Sequence, residues 1–135
     1  MNSKSVIKIL VALYSVVIVF HICIVLKIIP YNITWGGRLK NDSEMYVFET
    51  VSIAINFFLS WVLLMKGGFV KFKFSRKAIR IILWVFVLVF TLNTIGNIFA
   101  KTNLEKFFIV LTFISAVAIT FVLLKKESAN INEVK

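Results

Sequence analysis

The chain has 135 residues, 60% of them hydrophobic and 15% aromatic, with a mean hydropathy of +0.95 and a formal net charge of +10. Soluble domains are roughly 45–50% apolar, so this composition excludes water as the main solvent, and the length leaves room for one compact domain with short loops. The one cysteine, Cys23, excludes a disulfide within the chain and any cysteine-pair redox chemistry.

The basic residues do not spread over a polar surface, as a nucleic-acid binder would need, but gather at the ends of apolar runs. That placement orients a membrane protein and contacts anionic lipid head groups, so no nucleic-acid partner is expected. Lys4 and Lys8 precede a first apolar run at 9–29. The run is longer than the 7–15 residues of a signal-peptide core and has no small-x-small cleavage site, so it is expected to stay as a span. His21 and Ile22, in front of Cys23, are too large for a lipoprotein processing site.

The segment that follows carries Pro30, which is expected to end the first helix, then Tyr31 and Trp35, suited to a membrane interface, and the flexible pair Gly36-Gly37 beside Arg38. Two readings stand for it: an interfacial turn with aromatic anchors, or a lid whose Trp35 and Arg38 reach a site below. Asn32-Ile33-Thr34 and Asn41-Asp42-Ser43 match the glycosylation pattern, which matters only in a eukaryotic source. Further apolar runs follow at 45–65, 81–100 and 104–124, each near the ~20 residues that cross a ~30 Å hydrocarbon core, and none alternates as a barrel strand would. The expected fold is therefore all-α: an integral membrane four-helix bundle in one domain, 1–126, followed by a polar tail, 127–135, expected to be mobile.

Basic residues give the orientation, because cytoplasmic loops carry the excess. Eleven lie on one side, among them Lys66, Lys71, Lys73, Arg76, Lys77 and Arg80 between the second and third spans, against five on the other: Lys27, Arg38, Lys40, Lys101 and Lys106. Both termini are expected inside, in a multi-pass protein of the bacterial inner membrane. In the inner loop, Phe and Lys alternate from Phe69 to Phe74. The rings are expected to dip toward the acyl chains while Lys71, Lys73, Arg76 and Lys77 meet anionic head groups, and Ser75 is placed to cap the third helix.

Polar side chains within spans are costly, so each is a candidate for function or for helix contact. Glu49, Asn56 and Ser60 fall within about 40° around the second helix. In the third, Asn93 and Asn97 form an i, i+4 pair beside Gly96; in the first, His21 shares a face with Tyr14; in the fourth, Thr112, Ala116 and Thr120 make a small-residue ridge. At ~1.5 Å per residue from the outer ends, His21, Glu49, Asn93, Asn97 and Thr112 all lie about 5–12 Å deep, a level that suggests one outward-opening pocket. Its candidate ligand-binding residues are Glu49, His21, Asn93, Asn97, Asn56, Arg38 and Trp35. The plainer reading is that these groups bond neighbouring helices, at ~0.6 kcal/mol each on average.

One His, one Cys and one acid within a span, at no ligand spacing, give no metal site, and no catalytic triad, phosphate loop or nucleotide fingerprint is present, so no cofactor is expected. The string Trp-Gly-Gly-Arg-Leu-Lys-Asn-Asp-Ser-Glu-Met-Tyr-Val-Phe-Glu from Trp35 to Glu49, with Asn93-Thr94-Ile95-Gly96-Asn97, resembles a group of small bacterial four-span membrane proteins of uncharacterised activity. The resemblance covers most of the chain and implies a fold but no chemistry. Small multidrug transporters, whose essential acid lies in the first helix, and the eicosanoid and glutathione membrane enzymes, whose Glu-Arg and Asn constellation is missing, share only the size. The leading expectation is a non-enzymatic protein that binds a small ligand or a partner's helices, as a transporter or accessory subunit, with a homodimer or another membrane protein as the partner. The alternative is a membrane-embedded enzyme on a lipid-like substrate, with Glu49 and His21 as acid and base.

Overall fold

The computed structural model describes residues 2–33, 39–71, 73–99 and 103–134. Four helices, α1 (Ser3–Val25), α2 (Asp42–Lys66), α3 (Arg76–Asn97) and α4 (Asn103–Val134), carry the chain, with one turn of 3-10 helix at Tyr31–Ile33. All four contain stretches long and apolar enough to cross a membrane, in α4 the part Asn103–Lys125. α3 packs most extensively on α4 and α1 on α2, while α1 with α4 and α2 with α3 close the ring. Short connections make neighbours antiparallel. The proximal end of the bundle holds the chain start and the 67–75 connection; the distal end holds connections 26–41 and 98–102.

Side-chain caps start three of the helices. Asn2 Oδ1 accepts the Ser5 N–H at 2.8 Å, Asn41 Oδ1 the Glu44 N–H at 2.9 Å, and Ser75 Oγ the Ala78 N–H at 3.1 Å, the last as the sequence suggests. Glu44 also reaches back to the Lys40 N–H at 2.8 Å, so it belongs to the first turn of α2 and not to the loop.

Two helices end in matching turns. At α2 the Phe69 N–H bonds the Leu64 carbonyl and the Gly68 N–H that of Met65, with Gly68 at φ 77°. At α1 the Ile28 N–H bonds the Cys23 carbonyl and the Lys27 N–H that of Ile24, but the left-handed position is filled by Lys27 at φ 61°. The first helix thus ends at Val25, before Pro30, and residues 26–29 leave the axis although all but Lys27 are apolar. α4 does the reverse, continuing as helix to Val134 through the polar segment expected to be mobile. From 125 to 134 the sequence contains no glycine or proline to stop it.

The apolar core fills the proximal half: Ile7 and Leu10 of α1, Leu59 and Leu63 of α2, Ile79 and Leu83 of α3, and Ile119 and Val122 of α4. Aromatic rings extend it along the α2–α3 seam. Phe74 packs edge-on to Trp61 at 5.3 Å between centroids, Phe58 bridges to Phe86 at 6.5 Å, and Phe86 to Phe90 at 6.2 Å. Phe74 therefore turns into the protein rather than toward acyl chains, while Phe69 folds back over Gly67, where a Cβ would meet its ring at 2.7 Å, and lies under Lys8 Nζ at 5.6 Å. Phe72 lies outside the described residues. The outside of the bundle is as greasy as the inside: Phe99 is 82% exposed, Phe57 and Ile28 69%, and Val16 67%. Soluble monomers rarely carry such continuous apolar cover.

Candidate functional site

The inward face of α1 reads Ile7, Leu10, Tyr14, Val17, His21, Ile24, an unbroken series at helical spacing in which His21 takes the place of an apolar residue. Met45 and Glu49 do the same at the start of α2. Because the two helices pack antiparallel, His21, about 6 Å from the end of α1, and Glu49, about 10 Å into α2, meet across the seam. His21 Nδ1 and Glu49 Oε2 are hydrogen-bonded, with Glu49 0% and His21 9% exposed.

Apolar side chains enclose the pair. Phe20 sets its edge against the His21 ring at 5.6 Å and meets Phe108 of α4 at 5.7 Å. Ile24, Leu39 and Met45, with Phe20, Ile29 and Tyr31 against them, form a roof between the pair and the distal surface. Above the roof, Lys27 Nζ donates to Asp42 at 2.5 Å and the Tyr31 hydroxyl to the same carboxylate at 3.1 Å. Asp42, first by hydrogen bonding and then by charge, holds the Lys27 ammonium above the ordinary lysine pKa of 10.5.

A second polar contact clasps the other hairpin. Thr94 of α3 and Thr112 of α4 share a hydrogen bond at 2.7 Å. Each hydroxyl also lies 2.8 Å from a carbonyl of its own helix, Phe90 and Phe108 respectively, so one can donate across the seam while the other donates to its backbone. Deeper in, the hydroxyls of Tyr14 and Ser115 approach one another between α1 and α4, and both are buried without a hydrogen bond of normal geometry. The Tyr14 ring stacks on Phe90 at 6.1 Å, which brings α3 to the same level.

Of the residues singled out in the sequence, the fold brings His21 and Glu49 into contact. Asn56 is half-buried and its amide donates to the Ser52 carbonyl one turn back, while Ser60 donates to the Asn56 carbonyl, so both are satisfied by their own helix. Asn97 is half-buried on the inward stripe of α3, and Asn93 lies on the outer surface, away from His21. Trp35 and Arg38 lie outside the described residues. The small ridge of α4 faces inward, with Thr112 and Ala116 buried.

Sequence reasoning missed Thr94 and Ser115. The apolar series Ile79, Leu83, Phe86, Phe90 predicts Thr94 as the next inward position, a stronger guide to rotation than the conspicuous asparagines. Among the described residues no three His, Cys, Asp or Glu side chains gather as metal ligands would. No protein-family model, no curated protein and no solved structure matches the chain.

Proposed function

We propose that the chain is a four-span integral membrane protein, with its termini and the 67–75 connection in the cytoplasm, that binds a small polar or amphipathic ligand, or a partner's helix, at a polar site in its outer half. The bacterial inner membrane, with anionic head groups at Lys71, Lys73, Arg76 and Lys77, is its proposed setting. A transporter or an accessory subunit would use such a site.

The observation that supports this reading is Glu49, an acid within a span, fully enclosed and held by a histidine from another helix. A buried carboxylate and a buried imidazole each need a hydrogen-bonding partner, and here they meet. A ligand that supplies a cation or a hydrogen-bond donor to Glu49 would compete with His21 and would have to leave the imidazole a partner as well. The same contact is what an acid–base pair acting on a lipid-like substrate would need, and the enclosure of Glu49 requires either a ligand or a substrate to displace its apolar cover.

The test is a thermal-shift screen in lipid nanodiscs with organic amines, carboxylates and lysolipids, run on the parent chain, Glu49→Gln and Glu44→Gln. Glu49→Gln keeps shape and hydrogen bonding, so the fold is expected to persist while stabilisation by active compounds disappears; Glu44→Gln is expected to respond as the parent does. Equal stabilisation of all three proteins by every active compound would reduce the pair to a packing contact.

A further inference from the structure

Hydroxyls along these helices mostly bond the carbonyl four residues back: Ser15 to Val11, Thr91 to Val87 and Thr120 to Ala116. Asn93 does not fit that pattern. It is exposed on α3, and among the described residues its carboxamide makes no hydrogen bond. Nor does it lie at the rim of the apolar surface, for Ile95, Ile98 and Phe99 continue that surface beyond it with exposures of 53%, 60% and 82%. α3 is also the least buried of the four helices.

Lipid tails offer an amide neither donor nor acceptor, so an amide pointing outward at this level calls for a protein partner. The surroundings specify what kind. Val85, Val89, Leu92, Asn93 and Gly96 recur at helical spacing and are all exposed, and a Cβ placed on Gly96 would meet nothing within 4 Å. The backbone of another helix can therefore come close one turn from the amide. A carboxamide both donates and accepts, so two copies related by a two-fold axis satisfy each other completely, with no further component.

We propose that α3 forms the seam of a homodimer in the membrane, with Asn93 of each copy bonding its counterpart beside Gly96. The proposal is independent of the His21–Glu49 site, which faces the inside of each copy.

The test uses the full chain with Cys23→Ser in dilute phosphatidylethanolamine–phosphatidylglycerol vesicles. Leu92→Cys on the seam is expected to cross-link to dimer under mild oxidation, whereas Val117→Cys on α4, exposed to a similar degree, is not. Adding Asn93→Leu should lower the Leu92→Cys dimer fraction about fivefold, and Asn93→Gln should retain most of it. Because the side chain is exposed in the single copy, Asn93→Leu is expected to leave the thermal unfolding of detergent-diluted monomer unchanged. Equal cross-linking at both reporter positions, or an unchanged dimer fraction with Asn93→Leu, overturns the proposal. Cross-linking to a different protein in native membranes, without self-linking in vesicles, would reassign the seam to another partner.

Discussion

Lys27 occupies a backbone region that an L-residue avoids and that Gly68, at the equivalent turn of α2, occupies freely. It is held there because this turn aims the ammonium at Asp42, joining the end of α1 to the start of α2 over the buried pair. Strain and ion pair oppose each other, and substitution separates them. Lys27→Ala loses the pair and keeps the strain; Lys27→Gly loses the pair and relieves the strain, so it is expected to be the more stable of the two by ~1 kcal/mol in thermal unfolding. A glycine variant no more stable than the alanine one would show that the turn relaxes without help. Since Asp42 raises the folded-state pKa of Lys27, its contribution is complete below the ordinary lysine value of 10.5 and fades as pH climbs through the raised value. Removing the ion pair by Lys27→Gly should therefore take its contribution away throughout the neutral range and flatten the fall in stability on the alkaline side, where the parent loses that contribution anyway.

At the scale of the helices, hydropathy located all four but not the limits of each. Residues 26–29 and the tail beyond Leu124 show why: a helix stops where a capping turn forms and continues where nothing breaks it, and neither event is an average of apolarity. The rotation of α1 and α2 was legible from their polar residues, His21 with Tyr14 on the first and Glu49, Asn56 and Ser60 on the second, all of which are buried or half-buried. That of α3 was obscured, since Asn93 and Asn97 drew attention from the stripe that ends in Thr94, and one residue of phase turns a side chain by about 100°. No spacing within a single helix could reveal the Tyr14–Ser115 approach, which exists only through the packing of α1 on α4. The small ridge of α4 was legible as a contact surface, and its partner is the bundle itself. Ala116 is 8% exposed, so Ala116→Leu is expected to overpack the interior and lower stability by roughly 1–3 kcal/mol, whereas Val117→Leu, at a position 55% exposed, should change little. Equal melting temperatures for the two variants in nanodiscs would place the ridge outside the core.

For the molecule as a whole, the two ends of the bundle differ in charge in a way that membrane insertion reads. The proximal end carries Lys4, Lys8, Lys71, Lys73, Arg76 and Lys77, while the distal end mixes Lys27 and Lys40 with Asp42 and Glu44. The excess of basic residues in short connections sets which side stays cytoplasmic, and acidic residues contribute little, so the proximal end is expected inside. The polar pair then lies nearer the outer face, beneath its apolar cover, and the aromatic seam nearer the inner one. Lys40 and Lys77 are exposed and neither side chain caps a helix, which makes them suitable reporters. In a Cys23→Ser background, Lys40→Cys is expected to react with a membrane-impermeant maleimide in intact cells, and Lys77→Cys only after the membrane is opened. Labelling of Lys77→Cys but not Lys40→Cys in intact cells would invert the orientation, and labelling of both would mean that connections 26–41 and 67–75 emerge on one side. That second outcome would be incompatible with an antiparallel bundle that crosses the membrane, and with it would fall the proposed ligand site at Glu49.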